Sequence, residues 1–414
     1  MVGGGPGTTT GETPVPLVPA PSPKYHIKEL SMQQIPVARP TLGEEEAAAA
    51  RRAIMSGWVV QGPEVAAFEE EFAAMVGAPL AVACSSGTAA LHLALLALEL
   101  APGDEVITVS HSFIATANSV RYMGAIPVFV DVEPDTGNLD PSLVEAAITD
   151  RTRAILAVHQ LGMPCDLGRI LPLARRHHLK VVEDAACAIG SEISLEAGAW
   201  EPIGRPRGDL ATFSFHPRKV ITTGDGGMVT GSDPEVMARM ARLRTHAMSL
   251  STAERHGGGK VRFEQYLEVG YNYRLSDIQG AVGREQLKRL PGLVAARRRL
   301  AARYREGLSG HPYLSLPQEP PYARSNWQSF WVLLSPDAPL GQVALMQALL
   351  ARSIHTRRGV MCAHREPAYR DLPRRHPLPV SELLQDRGII LPLYPEMTEA
   401  EQDRVTEALA DILK

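Results

Sequence analysis

The chain has 414 residues, 45% of them hydrophobic and 21% charged, with a formal net charge of -4. That length exceeds one small core and predicts a large domain with a smaller one beside it. The acidic balance argues against a nucleic-acid partner, which would show a basic surplus or stripe.

Residues 1–34 carry Gly3-Gly4-Gly5-Pro6-Gly7 and a run rich in threonine and proline to Pro23. With neither a basic n-region nor an apolar h-region, they read as a disordered tail. From Ile35 the composition changes. Gly43-Glu44-Glu45-Glu46 before the alanines marks a helix start, because carboxylates suit the positive end of the helix dipole. A second helix follows Gly62-Pro63, with Val65, Phe68 and Phe72 on one side.

The longest apolar stretch, Leu80 to Ala101, is interrupted by Ser85-Ser86-Gly87-Thr88 and His92, so it reads as a buried strand, a turn and a buried helix rather than a membrane span. Strands are then predicted at Glu105–Val109, Ile126–Val130, Ala154–Val158 and Leu179–Val182, with helices near Ala115–Met123, Pro141–Ile148 and Leu167–His178 between them. This alternation predicts an α/β fold in three layers, a mostly parallel central sheet with helices on both faces.

Met228-Val229-Thr230 is a further strand and Pro234–His246 a further helix, followed by a mobile loop at Ser249–Lys260. A long helix from Ser276 to Leu290 is expected to break at Pro291-Gly292 and resume from Val294 to Leu308. On it, Arg297-Arg298-Arg299 reads as a solvated face. The remainder, with strands near Trp327–Leu334 and Gly388–Leu391 and a closing helix from Glu399, reads as a smaller α+β domain. The organisation expected is therefore a tail over 1–34, a large domain over 35–300 and a small C-terminal domain over 301–414. Cys84, Cys165, Cys187 and Cys362 stand far apart without a CxxC pair. That spacing favours reduced thiols in a cytoplasm over a disulfide or metal framework.

Chemistry concentrates around Lys219. The stretch Phe213-Ser214-Phe215-His216-Pro217-Arg218-Lys219, closed by Gly224-Asp225-Gly226-Gly227, sets one lysine among hydroxyl and glycine residues. A lysine so placed suits a Schiff base with a phosphate-bearing aldehyde such as pyridoxal phosphate, and Ser214 can donate to the phosphate. Asp184 ends the hydrophobic strand that begins at Leu179, at the carboxyl edge where open α/β sheets bind ligands. There it can keep a pyridine nitrogen protonated. Gly87 and Thr88 open a buried helix whose free amides and dipole suit a phosphate. Phe113, after the strand ending at Val109, can stack on a flat ring, and Asn272, within Gly270-Tyr271-Asn272-Tyr273-Arg274, can donate to an anion. Taken singly, each has a plainer reading as a surface lysine, strand-end carboxylate, helix cap, core ring or loop amide.

Together these motifs, with Gly57-Trp58, Gly103-Asp104-Glu105-Val106-Ile107, Pro127-Val128-Phe129-Val130-Asp131 and Glu183-Asp184-Ala185-Ala186, resemble the DegT and StrS family of sugar aminotransferases from Ile35 to Leu413. The family lies among the fold-type I pyridoxal-phosphate enzymes. The resemblance implies Lys219 as the Schiff-base lysine, Asp184 as partner of the ring nitrogen and Phe113 as the stacking ring. It assigns the phosphate to Gly87, Thr88 and Ser214, joined by Asn272 from the neighbouring subunit of a homodimer. It implies an amino donor, L-glutamate, and a nucleotide-linked keto-deoxysugar as acceptor, with pyridoxamine phosphate formed between the half-reactions.

Two positions depart from the family pattern. Cys187 stands where glutamine or histidine is frequent near the cofactor's phenolic oxygen, and Asp225 where glutamate is frequent. The alternatives are a transaminase of a keto-cyclitol, a sugar dehydratase, in which histidine replaces the lysine, and a non-catalytic regulatory relative. Acceptor choice is expected to lie with Trp58, the Ser249–Lys260 loop and Arg357-Arg358-Gly359, whose guanidinium forks suit a diphosphate.

Overall fold

The helix that starts at the three glutamates is α1 (Glu44–Met55), and the Glu46 carboxylate accepts the Gly43 N–H at 2.7 Å, closing its first turn. Helix α2 (Pro63–Val76) has proline at its first position, buries Val65, Phe68 and Phe72, and ends at Gly77 with φ 68, a left-handed cap that glycine adopts without strain. These details come from a computed structural model that describes residues 34–196, 198–250 and 263–414. The tail expected over 1–34 lies outside them except for Gln34, and the loop expected over Ser249–Lys260 except for Ser249 and Leu250.

The alternation that follows runs β1 (Leu80–Cys84), α3 (Gly87–Ala97), β2 (Glu105–Val109), α4 (Ala115–Tyr122), β3 (Ile126–Val130), α5 (Pro141–Val144), β4 (Thr152–Val158), α6 (Leu167–Arg176) and β5 (Lys180–Asp184). After it come β6 (Glu192–Glu196), β7 (Ala199–Pro202), β8 (Leu210–Ser214), β9 (Gly227–Gly231) and α7 (Pro234–Leu243). Seven strands form one sheet in the order β1-β9-β8-β5-β4-β2-β3. Only β9 runs against the others, pairing antiparallel with β1 and β8. The segment joining β8 to β9 contains no helix, so the chain folds straight back beside the strand it left. The carboxyl ends of β2, β4, β5 and β8 therefore share one edge.

The chain continues through α8 (Asp277–Gly307), β10 (Leu314–Ser315), β11 (Ala323–Arg324), β12 (Phe330–Leu334), α9 (Gln342–Ala351), β13 (Arg357–Arg358), α10 (Pro379–Arg387), β14 (Gly388–Leu391) and α11 (Glu399–Ile412). Strands β10, β12, β14 and β13 make an antiparallel sheet, while β11 joins the β6–β7 pair in a three-stranded one that the sequence did not signal. Ile35 bridges to Ile354 and is buried in the core of this later sheet, with Phe330, Leu345 and Leu391.

Several local expectations need correction. Helix α8 is continuous through Pro291, not broken there. Pro291 and Gly292 face solvent, whereas Leu287, Leu290, Leu293 and Val294 are buried on the opposite side. An interior proline costs about 3 kcal/mol, but each buried leucine or valine returns about 1.5–3 kcal/mol, so packing wins. The same helix buries Leu300, Ala301 and Tyr304 in the second core. Residue 300, where a boundary is expected, lies within this continuous helix.

Arg297 is not on a solvated face. It is 2% exposed and donates from Nη1 to the carbonyls of Gln328 at 3.1 Å and Leu393 at 3.3 Å, and burial pushes its pKa down to about 10. The helix expected over Pro141–Ile148 is α-helical only to Val144 and tightens to a 3-10 turn over Glu145–Ala147. The strand expected from Trp327 starts at Phe330, because Trp327 has a left-handed φ of 51 that a strand does not admit. Helix α7 ends at Leu243 rather than His246, where φ turns to 60. No helix among the described residues is long and apolar enough to cross a membrane.

Candidate active site

Strand β5 ends at Asp184, which is 5% exposed at the carboxyl edge of the main sheet. Its Oδ2 accepts the Thr116 hydroxyl at 2.8 Å and its Oδ1 the Ala186 N–H at 3.2 Å. Thr116 belongs to the first turn of α4, and its Oγ1 lies 2.8 Å from Ser112 Oγ. These two donors hold the carboxylate in place and leave lone pairs on both oxygens for a further partner. Glu183, the neighbour on the strand, turns to the other face, toward His159 Nε2 at 3.2 Å and the backbone N–H of Arg207 at 2.9 Å.

Three residues past Asp184, Cys187 is half-buried, and Lys219 Nζ donates to its Sγ at 3.0 Å. Asn326 pins this turn by donating from Nδ2 to the carbonyls of Cys187 and Ile189, both at 2.8 Å. Lys219 lies in the helix-free segment between β8 and β9, its N–H bonded to the His216 carbonyl at 2.8 Å. Burial, then the Arg218 charge, lowers the His216 pKa, which favours its neutral ring.

Strand β8 runs beside β5 with Thr212 opposite Asp184, which carries Ser214 to the same edge. There it meets the start of α3. A Cβ on Gly87 would lie 2.6 Å from Ser214 Cβ and 3.0 Å from its Oγ, so only glycine lets the two segments approach this closely. Ser86 caps α3 by accepting the Ala89 N–H at 3.1 Å, and the first intrahelical bond is that of Ala90 to Ser86 at 3.0 Å. The amides of Gly87 and Thr88 precede that bond and point out of the helix end. Gly87, Thr88 and Ser214 hence line one small, donor-rich cradle.

Phe113 is 62% exposed in the loop between β2 and α4, and its carbonyl accepts the Thr116 N–H at 3.1 Å. The exposed ring stands three residues from Thr116, whose hydroxyl holds Asp184, and its face is available to a flat partner. Asn272 is exposed, with its Oδ1 accepting Arg274 Nε at 3.1 Å, while the next carbonyl, that of Tyr273, accepts the Ser85 N–H at 2.8 Å. Arg357 and Arg358 lie instead on β13, exposed, with Arg358 3.7 Å from Glu366.

An amine, a carboxylate fixed by two donors, an anion cradle at a helix start and a bare ring fit pyridoxal phosphate in chemistry. Residues 40–410 match the DegT/DnrJ/EryC1/StrS aminotransferase family. The chain belongs to that family. It is similar to DesV of S. venezuelae, solved in complex with a ketimine intermediate, at 36% identity and a TM-score of 0.84 over 92% of this chain and 99% of that one. The aminotransferase TlmJ of Streptoalloteichus hindustanus is 32% identical with a TM-score of 0.82, over 92% of this chain and 100% of that one. DesI, solved in the presence of its TDP-sugar product, is 32% identical with a TM-score of 0.81, over 91% of this chain and 92% of that one. The protein is a pyridoxal-phosphate-dependent sugar aminotransferase.

Sequence reasoning missed Ser112 and Thr116. The signal available was a pair of hydroxyls four residues apart, straddling a helix start directly after a strand end. In this aminotransferase the cysteines also differ sharply in setting. Burial pushes the thiols of Cys84 and Cys362 up to about 12, and Cys165 is fully buried. Native protein treated with a thiol reagent is therefore expected to take one label quickly, at Cys187 beside the lysine. Rapid labelling that persists in Cys187→Ser would contradict this.

Proposed function

We propose that the enzyme moves an amino group from an amino acid, L-glutamate, to a nucleotide-linked keto-deoxysugar. The observation that carries this reading is the meeting of Lys219, Asp184 and the Gly87–Ser214 cradle at one sheet edge, within a family of sugar aminotransferases. When bound, pyridoxal phosphate supplies the electron sink that acidifies the donor's α-carbon. The Lys219 amine takes that proton and later returns one to the acceptor carbon. Asp184 keeps the ring nitrogen protonated by opposite charge. The helix start at Gly87 and Thr88, with the Ser214 hydroxyl, receives the phosphate, and Phe113 covers one ring face.

DesI's TDP-sugar supports a nucleotide-linked acceptor here. The active form in this reading is a homodimer in the cytoplasm. Phe263, Tyr266 and Val269, 88%, 63% and 85% exposed, precede Asn272 on a surface suited to a second copy, to which Asn272 would lend its amide. The test is a panel in which the aminated cofactor form is prepared with glutamate and mixed with nucleotide keto-sugars and with keto-cyclitols. Return of the aldehyde-form absorbance on amino transfer to nucleotide keto-sugars is expected. Its return with keto-cyclitols alone would replace the substrate assignment.

A further inference from the structure

A second hydrogen-bonded array lies behind the site. Ser110, the first residue after β2, is fully buried, and its Oγ is 2.6 Å from His364 Nδ1. The other ring nitrogen of His364, Nε2, is 2.9 Å from Glu382 Oε1. A carboxylate only accepts, so Nε2 carries the proton and donates to Glu382, and Nδ1 accepts the Ser110 hydroxyl. Burial lowers the His364 pKa, which agrees with this neutral tautomer. The backbone closes the same contact twice more: the His364 N–H donates to Ser110 Oγ at 3.0 Å and the Ala363 N–H to the Ser110 carbonyl at 2.9 Å.

Serine, histidine and carboxylate in this order form a nucleophile-activating set when the serine is accessible. Ser110 has no exposed surface, so it cannot meet a substrate, and the array must act on structure. What it holds is specific. Ser110 to Thr116 is the short segment that carries the bare Phe113 ring and ends in the hydroxyl that holds Asp184. One end of that segment is fixed by Asp184 and the other by His364. The His364 turn is itself anchored, with the Cys362 N–H donating to Gln385 Oε1 at 2.6 Å and Asp131 accepting from the Ser381 N–H at 2.8 Å at the start of α10.

We propose that His364 is a positioning residue for the cofactor site: through Ser110 it sets the place of Phe113 and of the Thr116 hydroxyl at Asp184. The proposal rests on the reading of Phe113 and Asp184 given above. Two replacements separate the arms of the imidazole. Asparagine places its amide oxygen near Nδ1 and can still accept from Ser110, whereas glutamine reaches toward Nε2 and Glu382.

The experiment compares cofactor-loaded wild type with His364→Asn, His364→Gln and Ser110→Ala, reading the visible circular dichroism band, the cofactor dissociation constant, kcat and KM separately, and the melting temperature. His364→Gln and Ser110→Ala are expected to weaken cofactor binding about ten-fold, the loss of one buried hydrogen bond's worth of ordering, and to alter the band. His364→Asn is expected to stay near wild type in both. Equal behaviour of the Asn and Gln variants, with lowered melting but an unchanged band, would overturn the proposal in favour of a purely structural contact. Phe113→Ala and Asp184→Asn run beside them as controls. If these two leave band and kcat unchanged, the site reading itself fails. If they change band and kcat while Ser110→Ala changes neither band nor cofactor affinity, the positioning proposal alone fails.

Discussion

Lys219→Ala is expected to lower kcat at least about 10⁴-fold, the upper range of what one positioned acid-base group contributes, or about 5 kcal/mol of transition-state stabilisation. Among the described residues, its neighbours His216 and Arg218 offer no primary amine for a Schiff base, and burial makes the His216 ring less basic than a free imidazole. Lys219→Arg should fail equally, because a guanidinium gives no free amine for the Schiff base. The variant should still fold, since Lys219 is half-buried and its side chain, among the described residues, bonds to Cys187 alone. Borohydride reduction of the loaded enzyme, followed by peptide mapping, checks the assignment independently of turnover. The wild-type label should sit on the peptide containing Lys219 and vanish in both variants. A label on another lysine would remove Lys219 from the reaction.

Asp184→Asn should lower kcat about 10- to 10³-fold, because an opposite charge at contact shifts a partner's pKa by one to three units and each unit is a factor of ten. The loss should fall on kcat more than on cofactor affinity. The phosphate cradle at Gly87 and Ser214 is built from other elements, and the carboxylate acts most strongly when charge develops on the ring. There is a stability cost as well. Thr116 and Ala186 donate to different oxygens of Asp184, and an amide has only one. Leaving one buried donor unmatched costs about 1–3 kcal/mol. A variant that kept wild-type kcat while melting lower would show a structural carboxylate only.

Much of the fold was legible because its signals are local. Strand and helix runs alternate from Leu80 to Asp184, and the structure forms them as five strands with helices between. Asp184, Lys219, Ser214 and Gly87 could be named because strand ends, glycine turns and helix starts leave marks within a few residues. Their partners could not. Thr116 is 68 residues from Asp184, and Ser110 is 254 from His364, so no periodicity or spacing links them. Cys187 departs from the family pattern in the sequence itself, yet its contact with Lys219 is visible only in three dimensions.

By itself, the sequence determined the alternation of strands and helices from Leu80 to Asp184, where phosphate-suited turns fall, and which family's motifs appear in order. Those properties follow from side-chain periodicity and backbone preference over a few residues. The tertiary structure alone decided that α8 passes through Pro291, that Arg297 is buried while Arg299 is not, that Ile35 belongs to the later core, and that Thr116 and His364 reach the strand ends. In each case burial or a hydrogen bond between distant segments outweighed a local preference, and such contacts exist only after the chain has closed on itself.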